Sequence, residues 1–354
     1  MPRSPLMTMT RRICAARHWR RPMTDRSRRT FLTTAAAGLG ALALGMPASG
    51  RQPQDGPFRI PTRRRATARP FRFVFMPDIH LRHDLNAPEG FRTAINHALT
   101  LDPKPDFIVT GGDLTQNIRD LGPEEAEKLA TLFRDLCDRH IDVPIYHSLG
   151  NHDSAGWRGG DYPTDHPDFA FGLLQRLLQL PELRYAFDWG QWRFIHTHNF
   201  TLTDGGSYVS EFDEECLAFI ERELRDHPGR PFMLFGHFPP VSASEFMGGR
   251  ATVDDDGQWR LATARMSRNP IDLVKTIEKA GATERVRAFI SGHIHRLDRI
   301  ETLGLTMINS GSVSGAQWRG PDHEARPGFG VVDCMPDGEF RYRYVTFDWR
   351  SPLE

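Results

Sequence analysis

Short motifs rich in aspartate and histidine recur along this chain: Asp78-Ile79-His80, Gly112-Asp113, Gly150-Asn151-His152-Asp153, Gly236-His237 and Gly292-His293-Ile294-His295. Seven of these residues are potential metal ligands: Asp78, His80, Asp113, Asn151, His237, His293 and His295. Hard carboxylate and amide oxygens mixed with borderline imidazole nitrogens suit two divalent or trivalent transition metals. They do not suit one structural zinc, which is held by four ligands and often by thiolates. A bridging carboxylate can hold two such ions about 3.5–4 Å apart, and ions so placed lower the pKa of a shared water toward neutrality.

Each motif follows an apolar run that reads as a strand: 71–76, 107–110, 143–149, 232–235 and 286–290. Five strand ends then deliver all the ligands to one edge of a sheet. In Asp78-x-His80 and His293-x-His295, residues two apart would point the same way if extended, so the turn after each strand must splay them. Between the strands, residues 88–101, 123–139, 169–180, 211–226 and 271–280 carry apolar residues at helical spacing. Ser210 is a candidate cap for the fourth of these helices. Further strands are expected at 185–187, 192–196, 304–308, 330–333 and 340–347. Alternating strands and helices make an α/β fold. Two stretches, 154–183 and 241–269, read as largely irregular, and each directly follows a ligand motif.

The ordered motifs from about residue 71 to 320 resemble the calcineurin-like metallophosphoesterase superfamily. The resemblance implies a four-layer sandwich of two mixed β-sheets flanked by helices. It also implies that Asp78, His80 and His295 bind one metal, that Asn151, His237 and His293 bind the other, and that Asp113 bridges them. Iron, manganese and zinc all fit such ligands. The family reaction is attack of metal-bound hydroxide on phosphorus, and His152, adjacent to a ligand but outside the ligand pattern, falls in place as the general acid. Asp153 is expected to orient the His152 ring.

Residues 1–50 read as an export leader, with the twin-arginine pattern Ser27-Arg28-Arg29-Thr30-Phe31-Leu32, a weakly apolar run and the small residues Ala48-Ser49-Gly50. The expected location is periplasmic or secreted, with the twin-arginine export machinery as a partner. A short N-terminal anchor is the alternative, although the run is short for a membrane span. Residues 51–69 read as a flexible linker and 70–354 as the metallophosphoesterase domain. The 45 Lys and Arg less the 9 Arg of the leader leave 36 bases, and the 45 acids less Asp25 leave 44, a net charge near −8. That sign argues against a nucleic-acid partner and for a small phosphorylated substrate. Cys137, Cys216 and Cys334 follow the leader and are open either to one disulfide or to burial as small hydrophobes.

Subfamily patterns narrow the ester. Gln116 stands where purple acid phosphatases place a tyrosine, and Asp113-Leu114-Thr115-Gln116-Asn117 departs from the protein Ser/Thr phosphatase run. The chain is most similar to the cyclic nucleotide and glycerophosphodiester phosphodiesterase group, which implies a phosphodiesterase. A broad phosphomonoesterase and a non-catalytic metal- or ligand-binding protein are the other readings. His198, Asn199, Trp157 and Arg158 are candidates for substrate contact. Tyr162, Phe246, Arg250, Trp259, Arg265, Trp318 and Arg319 could wall a pocket, and Asn309 to Ser312 could form its rim.

Overall fold

The computed structural model describes residues 69–353, so the leader and nearly all of the linker lie outside the described residues. The chain first lays down three parallel strands, β1 (Phe71–Met76), β2 (Phe107–Gly111) and β3 (Ile145–Ser148). Helices α1 (Ala87–Leu99) and α2 (Pro123–His140) make the crossovers. After the short α3 (Gly172–Leu177), β4 (Tyr185–Trp189) and β5 (Trp192–His196) open a second sheet. A hairpin of β6 (Phe200–Thr203) and β7 (Ser207–Ser210) precedes α4 (Glu214–Asp226) and β8 (Phe232–Phe235).

The stretch after β8 carries the one-turn α5 (Ser244–Met247) and a small hairpin, β9 (Thr252–Val253) with β10 (Trp259–Arg260). Then come α6 (Pro270–Lys279), β11 (Val286–Ser291), β12 (Leu297–Thr302) and β13 (Leu305–Ser310). Finally β14 (Gly328–Cys334) and β15 (Phe340–Thr346) return to the first sheet. The first sheet has the order β15-β14-β1-β2-β3 and the second β12-β13-β11-β8-β5-β4. Both are mixed: β5, β8, β11 and β13 run parallel, while β4, β12, β14 and β15 pair antiparallel.

The expected four layers are present. Phe73 and Phe75 of β1 meet Phe235 of β8 at ring-centroid distances of 5.8 and 5.6 Å, and Phe107 of β2 meets Phe187 of β4 at 5.6 Å. These rings pack the two sheets face to face. Helices α4 and α6 cover the outer face of the second sheet through Ile220, Leu224, Leu273 and Ile277, and Phe133 of α2 packs on His147 of β3.

Three expectations give way. Asp213, not Ser210, caps α4, its carboxylate accepting from Cys216 N at 2.7 Å; Ser210 is instead bonded to Ser267 Oγ at 3.1 Å. Helix α3 is cut short because Ala170 and Gln179 adopt left-handed backbone, φ 55° and 54°. Strand β12 goes unanticipated, since it is a half-exposed edge strand with no apolar run. Cys137, Cys216 and Cys334 are all free and buried, so of the two cysteine readings it is burial that holds.

Candidate metal centre

All the ligand motifs sit just beyond the C-terminal ends of parallel strands, as they must if the strands are to point them at one edge. The first sheet supplies Asp78 and His80 after β1, Asp113 after β2 and Asn151 after β3. The second supplies His237 after β8, and His293 and His295 after β11. Asp78, His80, Asp113, His293 and His295 all hold left-handed backbone, with φ of 54°, 44°, 51°, 72° and 56°. That conformation splays side chains which an extended chain would align, at a cost of about 1–3 kcal/mol per non-glycine residue. Backbone bonds that prolong the strand pairing offset it: Asp78 N to Gly112 O at 3.0 Å, His80 N to Asp113 O at 2.8 Å and Gly292 N to His237 O at 3.0 Å. Gly112, at φ +88°, makes the turn into Asp113, and a Cβ at Gly150 would collide with the Asp113 carboxylate.

Ligand atoms gather in two groups that share Asp113. Asp78 Oδ1 lies 3.4 Å from His295 Nε2, and His295 Nε2 lies 3.0 Å from His80 Nε2. His80 Nε2 in turn lies 3.6 Å from Asp113 Oδ2. On the other side, His237 Nε2 is 3.3 Å from Asp113 Oδ2, 3.1 Å from Asn151 Oδ1 and 3.3 Å from His293 Nδ1.

Carbonyls on the far side of the rings decide the tautomers. His237 Nδ1 donates to Gly111 O at 2.9 Å, His295 Nδ1 to Gly315 O at 2.8 Å and His293 Nε2 to Ala264 O at 2.8 Å. In the neutral rings the inward nitrogens are therefore lone pairs. His237 Nε2, His293 Nδ1, Asn151 Oδ1 and Asp113 Oδ2 are then four acceptors facing one another, an arrangement that calls for positive charge, either a proton on His237 or a metal cation between them. Burial would push the His237 pKa down, but Asp113 and Asp78 carry it up to about 9, the same demand for positive charge at this point. The donor set fits two transition-metal ions.

His152 keeps 13% of its side chain exposed while His80 and His237 keep none. It is thus a ring beside Asp113 that a substrate can meet, as is the half-buried His293, and its Nε2 lies 3.9 Å from Asp113 Oδ2. Burial holds its pKa down to about 4, with Asp113 opposing and Arg119 assisting. Asp153 does not orient it. The Asp153 carboxylate accepts from Leu114 N (3.1 Å), Thr115 N (3.0 Å), Thr115 Oγ1 (3.0 Å) and Gly150 N (2.8 Å), while His152 Nδ1 has no partner among the described residues. Asp153 therefore ties the β2 and β3 loops together.

A cavity of about 210 Å³ opens over the centre, lined by His80, Asp113, His152, His293 and His295 and walled by Tyr208, Arg250, Arg265, Arg296, Gln317 and Asp322. Arg250 and Arg265 fall where the sequence suggests; Tyr208, Arg296, Gln317 and Asp322 give no local signal of their role. The four expected substrate contacts are not brought in. Trp157 Nε1 donates to Ser207 O at 3.1 Å, and Arg158 pairs with Asp120 at 2.7 Å. Asn199 is buried and donates to Phe238 O at 2.8 Å, and His198 packs on Phe171 and Phe200 in a separate cavity of about 810 Å³. Trp318 is fully buried and donates to Ile79 O at 2.9 Å. Ser312 and Ser314 donate to Asp78 O at 3.0 and 2.7 Å, so this segment braces the ligand loop from behind.

A family model described as calcineurin-like phosphoesterase matches residues 71–297. A probable glycerophosphodiester phosphodiesterase from Arcobacter nitrofigilis is 27% identical over 204 residues, 57% of this chain and 61% of that protein. Among solved structures, a dimetal phosphatase from Danio rerio superposes with a TM-score of 0.49 at 15% identity, covering 78% of this chain and 99% of its own. A purple acid phosphatase from yellow lupin does so with a TM-score of 0.46 at 16% identity, covering 80% and 53%.

Proposed function

The chain belongs to the calcineurin-like phosphoesterase family, and from that premise we propose that it hydrolyses a phosphodiester at a centre of two transition-metal ions. The convergence of two groups of ligand atoms on Asp113 carries this reading. Asp78, His80 and His295 would hold one ion, Asn151, His237 and His293 the other, with Asp113 between them. When bound, two such ions supply an acidified water and neutralise charge on a phosphoryl group.

The chain's own residues do the rest. The carbonyls of Gly111, Gly315 and Ala264 fix the ring tautomers, so three lone pairs aim inward without reorganisation. His152, at the edge of the cavity, faces the leaving oxygen and carries its proton. Its ring is neutral in the free site, and negative charge arriving beside it raises its proton affinity. The name of the Arcobacter relative supports a diester of glycerophosphodiester type, and we propose that substrate class ahead of a monoester. The twin-arginine pattern at Arg28-Arg29 supports work outside the cytoplasm, in the periplasm or beyond.

The test is turnover of bis(p-nitrophenyl) phosphate, glycerophosphodiesters and matched monoesters by protein loaded with manganese, iron or zinc. A higher kcat/KM on diesters is the expected result. Faster monoester cleavage points to the phosphomonoesterase, and inactivity on every ester with both metals bound ends the enzyme reading.

A further inference from the structure

The wall of the cavity says more about the substrate than its floor does. We infer that the group attached to the scissile phosphorus carries a second anion, a phosphate or carboxylate, received by Arg296 with Arg250 and Arg265; this rests on the phosphoesterase reading above.

Arg296 is only 8% exposed, yet it lines the cavity. Its Nη2 donates to His323 Nε2 at 2.9 Å, and His323 Nδ1 in turn faces Asp322 Oδ1 at 2.6 Å. The immediate partner is thus a ring, with a carboxylate one residue further out. Among the described residues neither Arg296 nor Arg250 has a carboxylate ion-pair partner. A guanidinium buried this deeply is costly unless an anion meets it. Arg265 is held differently: Glu245, fully buried, takes its Nε and Nη2 at 2.7 and 2.8 Å, and among the described residues Nη1 has no hydrogen-bond partner. Across this wall, three guanidiniums oppose two carboxylates, Asp322 and Glu245, so the wall stays cationic beyond the metal centre.

The lining also says what the group is not. Among the described residues Tyr208 is its one benzenoid ring and Ile294 its one apolar side chain. Trp157, Trp318 and Tyr162, any of which could have stacked on a base, are engaged elsewhere. A compact, polar, charged group suits such a wall, because bidentate guanidinium contacts to phosphate or carboxylate are among the strong charge-assisted bonds.

Calorimetric titration of the metal-loaded full chain with three non-hydrolysable probes tests this. Propylphosphonate carries one anionic group, 3-phosphonopropionate adds a carboxylate and 1,3-propanediylbisphosphonate adds a second phosphonate. At least one of the two-anion probes should bind about tenfold tighter than propylphosphonate, and which one gains tells carboxylate from phosphate. In Arg296→Gln that ratio should fall to within about twofold, and Arg296→Lys should restore part of it. Arg250→Gln, at an exposed position, should reduce the ratio about threefold on its own and stands in if Arg296→Gln does not fold. Equal affinity of all three probes for the native protein overturns the inference. So does an advantage that survives both Gln variants, since the metals would then hold both anions. Failure of the phosphoesterase reading is seen separately, as absent turnover, while the probes still report on the wall.

Discussion

Asp78, His80 and Asp113 stand on loops that continue the ladder of the strands before them, so their backbones are bonded to one another, as in His80 N to Asp113 O at 2.8 Å and Leu81 N to Leu114 O at 3.0 Å, and the segment after β13 adds Val313 N to Pro77 O at 3.0 Å. Arg250 and Arg265 stand on the stretch between β8 and α6, which holds only one helical turn and a hairpin of two-residue strands, with Met247 89% exposed and Trp259 61%. The floor is thus fixed by backbone pairing and burial, and the wall by individual side-chain contacts such as Arg265 with Glu245. Fixed floors suit chemistry common to a family, where ligand positions must hold to within about 0.5 Å. A wall hung on side chains can change substrate without disturbing the floor.

Breaking the floor should cost most. Asp113→Asn keeps the shape but removes the shared negative charge, so both sites should weaken and metal content measured by mass spectrometry should fall from about two ions per chain toward none, with activity lost. Loss of only one ion with the other at full affinity would contradict the shared role. His152→Ala should leave both ions bound and lower kcat by about 10²–10⁴-fold on alkyl leaving groups, and less on nitrophenolate, which needs no proton. Gly150→Ala pushes a methyl into the Asp113 carboxylate; metal affinity should weaken by about 10–100-fold, as for the loss of a supporting contact.

Under the floor, burial drives the pKa of His147 down to about 3. Below its ordinary value of about 6.5 the unfolded chain takes up a proton that the folded chain refuses, so its contribution to stability is full above that pH and drains as pH falls toward 3. Denaturant titrations at pH 7 and 5 should show His147→Gln losing less stability on acidification than the native chain, by up to about 1.4 kcal/mol per pH unit. The smallest effect on turnover belongs to the wall: Glu245→Gln frees Arg265, lowers stability because its partner is lost from a buried pair, and should change KM by about threefold with metal content and kcat intact. A large kcat loss there would erase the distinction between the two regions.

The same contrast explains what the residues disclosed in advance. Strands such as Phe71–Met76 and Phe232–Phe235 are buried on both faces and therefore predominantly apolar, with Arg72 the polar exception in the first, and the ligands follow them within a few residues. Both were legible for that reason. The edge strand Leu297–Thr302 has no such run, and the ends of α3 are decided by left-handed residues that leave no pattern in composition. In the site, adjacency misled twice. Asp153 follows His152 but turns to the amides of Leu114 and Thr115, and Trp157 and Arg158 follow the third motif but are taken by Ser207 and Asp120. Arg296 and Tyr208 join the wall through tertiary placement alone.

Asp78, His80, Asp113 and Asn151 come from one sheet and His237, His293 and His295 from the other, and between the sheets lies a stack of phenylalanines. Bound metals would accordingly act as a clasp at one end of a sandwich whose sheets are joined along their length by aromatic contact and by a few side-chain hydrogen bonds, such as Tyr185 Oη to His147 O at 2.9 Å and Ser148 Oγ with His196 Nδ1 at 2.8 Å. Loosening that stack far from the centre, as in Phe73→Leu, should register as weaker metal binding. Stripping the ions should in turn speed amide exchange along the facing ends of β1 and β8 before the rest of either sheet.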